Sequence, residues 1–458
     1  MSKEASNSPS GSDQGSGQPA LFEGSIPPAP AAVPVSGAAR LRRPNRLQMS
    51  MHTFSLDSLL PENHQARAVW EYVTGMDLTS LHESIRAVEG RPGRDAIDPR
   101  IPMALWLYAT LDAVGSAREL DRLCGDHVAY QWICGGVSMN YHTLSDFRTA
   151  NVELLDHLLT QSVAGLMHEG LVTMNRVAQD GMRVRAAAGS SSFRRAKTLE
   201  RLEEEAREQV EQLRKELQDD PGAANKRQRA ARERARRERQ ERVARAREEA
   251  AKIQQAKPAD EKDKVRGSTT DADVRFMKMA DGGTRPAVNV QLATDTESRM
   301  ITGVDVGNVG SDMGQMSPMI QQHEDRYGQP PKEMLADGGF ASREDIDSAS
   351  LAESPTVVYA PVQKSRKDKG KNCYERQPRD TDAVAQWRQR MSTPQAQEIY
   401  KERASTAEWS NALARNRGMR QFLVRGLQKI KAVVLWFALA HNLVRAAFLR
   451  RQVQVVTQ

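Results

Sequence analysis

Between residues 49 and 172 apolar side chains recur at helical spacing: Leu56, Leu59 and Leu60, then Ala68, Val69, Trp70, Tyr72 and Val73, then Ile101, Leu105, Leu107, Tyr108 and Leu111. Positions three and four apart share one face of a helix, so this span is expected to form short helices packed on one another. Ser116 stands as an N-cap with Glu119 three residues on, and Thr143 and Asp146 repeat that spacing. At residue 173 the pattern shifts. "VTMNRVAQDGMRVRA" predicts a strand running into Asp180-Gly181, and "AVNVQLATDTES" and "RMITGVDVGNVG" predict an antiparallel pair with its turn at Asp295-Thr296. "PKEMLADGGFA" predicts a buried strand ending at Asp337, "PTVVYAPV" another strand, and "SDMGQMSPMIQQHEDRYG" an amphipathic helix capped by Ser311 or Asp312. The order indicates an α/β fold, a mixed sheet flanked by helices.

Two segments stand outside this frame. Residues 1–48 are rich in Ser, Gly, Pro and Ala and cannot bury enough apolar surface to offset ordering, so they are expected to be disordered. Residues 194–264 interrupt the second region, leaving 49–172 as a helical N-terminal domain and 173–458 as an α/β domain with an insertion. In the insertion, Leu199, Leu202, Ala206, Val210, Leu213 and Leu217 make one helical stripe, "DDPG" breaks the chain, and an alanine-striped helix follows. Lys197–Asp220 holds nine acidic and five basic residues and Lys226–Arg247 eleven basic and three acidic, so the two arms are expected to pair antiparallel as a coiled-coil hairpin. The basic arm reads equally as a solvated face and as an arm for DNA.

Charge narrows the partner. The formal net charge is +7, and arginine and lysine are clustered, which puts a polyanion, nucleic acid first, ahead of a membrane surface. Cys124, Cys134 and Cys373 form neither a CxxC pair nor an even framework, so neither a zinc ribbon nor a disulfide scaffold is expected, and a reducing cytoplasm fits. No signal peptide is expected. The most apolar stretch, Ala432 to Val444, is too short to span a bilayer. Arg118, Arg122 and Arg148 lie near expected helix starts, where they could touch DNA phosphate or face solvent on a helical bundle.

Three carboxylates carry candidate chemistry. Asp180 and Asp337 are each delivered by an apolar run to what reads as a strand end, with glycine following at once, so a substrate could approach closely. Either alone reads as an ordinary Asp-Gly turn. Glu408 on the helix of "YKERASTAEWSNALARNRGMRQ" adds a third oxygen donor. Two aspartates and a glutamate could hold two Mg²⁺ ions, with Mn²⁺ able to substitute, for in-line phosphoryl displacement. Glu408 and Arg415 are seven apart and share a helical face with Asn411 between them; Arg403, five residues before Glu408, points away from that face on an ideal α-helix. Asp295, Asp305 and Asp312 are rival acids, Asp312 being accounted for as a cap. His441 reads as a packed, hydrogen-bonded histidine.

From about Ser50 to Phe448 the chain resembles bacterial insertion-sequence transposases with a ribonuclease-H-like fold and an Asp-Asp-Glu triad. The likeness rests on "PRIPMALWLYATLDAVGSARELDRLC", "WICGGVSMNYHTLSDFR", "AQDGMRVRAAAGSSSFRR", "MKMADGGTRPAVNVQLATDT", "GVDVGNVGSDMGQMSPM", "LADGGF", "WRQRM" and "YKERASTAEWSNALARNRGMRQFLVRGLQKIKAVVLWFALAHNL" together. It implies Asp180, Asp337 and Glu408 as catalytic, metal-binding residues, and Tyr400, Arg403 and Arg415 as the rest of a Tyr, Arg, Glu, Lys/Arg signature that contacts DNA. Two departures stand out: four residues separate Arg403 from Glu408 where relatives usually have three, and arginine stands at 415 in place of lysine. Tyr400 reads equally as a group at the DNA end and as a packing tyrosine.

The resemblance implies an enzyme that binds the ends of its own element on double-stranded DNA, cleaves phosphodiester bonds, joins the ends to target DNA, and works as a homodimer in the bacterial cytoplasm. The rival readings are a metal-dependent nuclease that cuts without joining and a non-catalytic DNA-binding regulator.

Overall fold

The computed structural model describes residues 53–88, 90, 94–219, 226–351, 355–363 and 372–456. The stretch 1–48, the break after Asp219 and the side chain of Leu217 lie outside the described residues. The helical spacing before residue 172 yields α1 (Gln65–Thr74), α2 (Thr79–Glu83), α3 (Arg100–Leu111), α4 (Ala117–Asp126), α5 (Val128–Cys134), α6 (Tyr141–Ala150) and α7 (Val152–His168). α3 is buried from Ile101 to Ala109, and Trp106 donates its indole N–H to Leu144 O at 2.9 Å. Ser116 caps α4 as expected, accepting from Glu119 N. Thr143 does not cap α6: Asn140 accepts from Thr143 N at 3.0 Å, because the helix begins one turn earlier than the Thr143–Asp146 spacing indicates.

The strands are β1 (Arg176–Arg185), β2 (Phe193–Arg195), β3 (Arg266–Ser268), β4 (Arg275–Lys278), β5 (Thr284–Asp295), β6 (Ile301–Gly307), β7 (Glu333–Leu335) and β8 (Val357–Tyr359). The main sheet runs β4-β5-β1-β7-β8, with β6 pairing β5 beyond β4. β1 is antiparallel to β5 and parallel to β7, and β7 is parallel to β8. The architecture is therefore α/β with a mixed sheet. β2 and β3 form a separate ladder at the base of α8 (Ala196–Asp219) and α9 (Lys226–Ala256). The two arms run antiparallel, as Arg247 to Glu203 at 2.7 Å and Arg236 to Gln209 O at 2.7 Å require.

α10 (Met316–Tyr327), α11 (Arg343–Leu351), α12 (Asp382–Met391), α13 (Pro394–Arg403), α14 (Trp409–Asn416) and α15 (Leu427–Val456) complete the fold. α10 is capped by neither Ser311 nor Asp312; its N-cap is Gln315 without a side-chain bond. α15 is apolar over 29 residues, Leu427–Val455, and long enough to cross a membrane, more than Ala432 to Val444 alone indicates, yet two thirds of its most apolar window is buried in the fold. It packs against α3, α6, α7 and β6. Asn442 accepts from Ile301 N at 2.9 Å and donates to Ile301 O at 2.8 Å, closing the edge of β6 as another strand would. Phe54–Gln458 forms one compact unit, with α15 tying the N-terminal helices to the sheet.

Candidate active site

Register brings the two aspartates together. β1 and β7 pair in parallel from Arg176↔Glu333 to Ala178↔Leu335, so Asp180 and Asp337 each lie two residues past the last paired position. Asp180 is not at a strand end: β1 continues through Gly181 to Arg185, paired with β5, and Asp180 faces Leu292 in that ladder. What ends there is the β7 side of the pairing, which leaves Asp180 open along one edge. A Cβ at Gly181 would collide with Asp312 Oδ1 and lie 2.6 Å from Gln291 Nε2, so glycine permits this close approach. Asp337 Oδ1 accepts from Gly339 N at 2.7 Å, fixing its carboxylate in the turn after β7.

Glu408 arrives from the helix side through an irregular turn. Between α13 and α14 residues Ala404–Glu408 form a single π turn. In a π turn, hydrogen bonds run from i to i+5, so residues five apart come to one face. Arg403 therefore points inward, contrary to the ideal-helix expectation. Its Nη2 lies 2.9 Å from Asp180 Oδ1 and 3.9 Å from Asp337 Oδ2, and its Nη1 lies 3.6 Å from Glu408 Oε1. The extra residue in the 403–408 gap is absorbed as this π turn, which restores the relation that a three-residue gap has on an α-helix.

One guanidinium thus bridges three carboxylates from three chain segments. Asp180 and Arg403 side chains are 16% and 11% exposed, Asp337 41% and Glu408 64%. Asn411 Nδ2 donates to Asp180 Oδ2 at 2.8 Å. Burial raises the Asp180 pKa above the ordinary carboxylate value; Arg403 opposes that rise and Asp337 adds to it. When ionised, the three carboxylates and one guanidinium leave a formal charge of −3 + 1 = −2.

The donor set suits a hard divalent cation, being oxygen throughout. Asn411 Oδ1 and Arg403 Nε, both buried beside Asp180, have no hydrogen-bond partner among the described residues, so the site is not internally saturated. Among the described residues no three acidic, histidine or cysteine side chains already converge on one point as a metal cage. The carboxylates gather around Arg403 instead, so a cation would enter by displacing it.

The other sequence-predicted residues are placed differently. Tyr400 is half-buried next to Arg403, and its hydroxyl pKa is raised by burial. Arg415 is exposed and has no side-chain partner among the described residues. Arg118 is exposed and sits over the Tyr141 ring at 5.1 Å. Arg122 is exposed and paired with Glu119 and Asp126. Arg148 is no surface contact: it is buried, donates to Gly115 O at 2.5 Å and lies 4.4 Å from the Trp106 ring, because the helices close over it. Asp312, set aside as a cap, accepts from Asn289 Nδ2 at 2.7 Å and Gln291 Nε2 at 2.8 Å beside Gly181. Only the polar residues inside β5 hinted at that role. Asp305 lies on β6 opposite Gln291. Asp295 closes its turn on Ser298, and His441 donates from Nε2 to Arg299 O at 2.8 Å.

Fold and site together define an α/β protein with an acidic, arginine-bridged cluster. A family model described as a transposase DDE domain matches residues 362–447, and one described as a transposase domain (DUF772) matches residues 54–150. The first span includes Tyr400, Arg403, Glu408 and Arg415; Asp180 and Asp337 lie outside both. No curated relative and no solved structure matches the chain. These two matches support an insertion-sequence transposase with a DDE domain. Transposases act on DNA, and DDE domains generally use divalent metal ions.

Proposed function

We propose that the protein binds the ends of an insertion sequence, cleaves phosphodiester bonds there and joins the freed ends to target DNA on a ribonuclease-H-like catalytic fold, acting as a cytoplasmic homodimer assembled on DNA. The observation that carries this reading is the convergence of Asp180, Asp337 and Glu408 on Arg403 from two strands' ends of pairing and a π turn. The strand order supports the fold assignment.

Asp180, Asp337 and Glu408 would hold two Mg²⁺ or Mn²⁺ ions. Bound there, the ions supply activation of the attacking oxygen and neutralisation of the leaving oxygen in an in-line displacement. Asn411 keeps the Asp180 carboxylate oriented through Oδ2. Arg403, displaced from the carboxylates, remains within reach to hold non-bridging phosphate oxygens through its fork of N–H donors. Arg415, exposed on α14, contacts DNA backbone further out, and the N-terminal helices, residues 49–172, recognise the element ends, with the hairpin arm as a second contact.

Asp337→Asn tests the reading. The variant is expected to bind element-end DNA like the wild type and neither cut nor join it; wild-type cleavage by the variant overturns the assignment. A strand-transfer assay under Mg²⁺ or Mn²⁺ discriminates the rival nuclease, which yields cut ends without joined product.

A further inference from the structure

Where the α8–α9 hairpin joins the core, a cleft of about 540 Å³ opens that the proposed chemistry does not use. Its wall is arginine from four directions: Arg201 on α8, Arg239 and Arg242 on α9, Arg194 on β2, and Arg425 in the segment before α15. Hydroxyls of Thr198, Thr269 and Thr270 complete the polar lining, and among the described residues no acidic, amide or aromatic one lines it.

The charges in this cleft are poorly compensated. Arg201 pairs with Glu205 and Arg242 with Glu238 at 3.9 Å, both exposed i,i+4 pairs that solvent screens. Arg239 donates to the neutral Gln209 Oε1 at 3.0 Å and Arg425 to Ala187 O at 3.3 Å, which leaves their charge in place. Arg194 makes no ion pair or side-chain hydrogen bond among the described residues. On other faces of α9 the arginines do find carboxylates, Arg245 at Asp273 and Arg247 at Glu203. In the cleft, Arg194, Arg239 and Arg425 have no carboxylate partner among the described residues.

The lining also continues toward the carboxylates. A second hollow of about 470 Å³ is bordered by Arg185, Arg285, Gln421 and the 186–190 loop, with no acidic residue among the described residues of its lining; Arg285 is paired with Asp281 at 2.7 Å, so Arg185 carries the open charge there. Gln421 donates to Ala186 O and Arg425 to Ala187 O, so the two hollows flank one seam. Arg185 ends β1, five residues beyond Asp180. At about 3.4 Å per strand residue that is about 17 Å, the rise of about five base pairs.

We infer that this arginine track is a seat for the phosphodiester backbone of duplex DNA flanking the cleaved bond, gripped without readout of sequence. The inference rests on the reading above that the substrate is DNA. Cations held side by side repel, and a polyanion removes that cost while releasing its own counterions. Arginine and threonine contacts to phosphate fix position and carry no base information. The length of the track and its continuity with β1 select an extended backbone over a small anion.

The test uses the full chain and a labelled duplex of arbitrary sequence, with binding measured by anisotropy across a salt series. The R239Q/R242Q/R425Q variant, all three side chains being exposed, is expected to melt like the wild type. The slope of log K against log salt should fall by about 0.9 per lost phosphate contact, about 2.7 in all. Preference between element-end and arbitrary duplex should not change. R239K/R242K/R425K keeps the charges and is expected to keep most of the slope. A glutamine variant with wild-type slope and affinity overturns the inference, as does a lysine variant that binds no better than the glutamine one. A wild-type chain that binds no DNA at all instead overturns the proposed function.

Discussion

Replacing Arg403 by alanine removes the cation that three carboxylates share. Its pair with Asp180, at 2.9 Å with side chains 11% and 16% exposed, is the main loss. Breaking a fully buried pair costs about 3–5 kcal/mol, because the abandoned charge stays desolvated. Asp180 keeps Asn411 Nδ2 at 2.8 Å and the Gly181 N–H at 3.0 Å, so the cost here is set at about 2 kcal/mol. The contacts with Asp337 and Glu408, at 3.9 and 3.6 Å to carboxylates 41% and 64% exposed, add about 0–1 kcal/mol each.

In EDTA, Arg403→Ala is therefore expected to unfold in urea with a deficit of about 2–3 kcal/mol. Metal reverses the comparison. On the proposed reading, a divalent ion entering the wild type would first displace the guanidinium, whereas in the variant it would meet free carboxylates. An advantage of about 2 kcal/mol is about thirtyfold in affinity. Saturating Mg²⁺ should close the stability gap to under about 1 kcal/mol, and calorimetry should find tighter Mg²⁺ binding to the variant. Equal stability of the two proteins in EDTA refutes the reasoning, and so does a gap that Mg²⁺ leaves unchanged.

Gly181→Ala forces a methyl group against Asp312 and Gln291; a loss of about 1–3 kcal/mol in urea unfolding is expected, together with reduced DNA cleavage, since the strain falls beside Asp180. His323 and His441 are buried and held neutral, each with its pKa pushed down by burial from 6.5 to about 4. The unfolded chain takes up their protons first, so stability present above pH 6.5 drains away as pH falls toward 4, by about 3 kcal/mol per histidine. Urea midpoints followed across that range should show His323→Gln with a pH dependence shallower by one proton; an unchanged dependence would falsify the buried, neutral assignment.

The sheet was legible because its strands are written locally. The β-branched runs around residues 177–184, 288–294 and 301–306 became β1, β5 and β6 with the expected antiparallel pairing of the last two. The Asp-Gly pairs at 180 and 337 marked the residues that register then aligned. What failed to read depended on distant partners. Gly181 looks like a strand stop, but β5 carries β1 through it to Arg185. Asp312 has the spacing of a cap, and Asn289 and Gln291 claim it from across the sheet. Arg148 is charged and near a helix end, yet the Trp106 ring and Gly115 O give it an interior place.

The helix from Pro394 to Asn416 shows the same division within a few residues. Its two arginines at 403 and 415 look alike in sequence, and periodicity assigns the outward direction to the wrong one. Seven residues of α-helix separate Glu408 from Arg415, which keeps them on one face but about 10 Å apart along the axis. That is too far for Arg415 to share the carboxylates, and its side chain is exposed. Arg403 is close because the five residues after it are wound as a π turn, and a helix adopts that geometry only when something outside its own hydrogen bonding favours it. Here Thr406 and Ala407 are buried, and Ser410, one turn on, meets Thr294 of β5 at 3.1 Å. Packing against the sheet fixes the phase of α14, the extra residue is pushed into the turn before it, and Arg403 is swung in among the three carboxylates as a result.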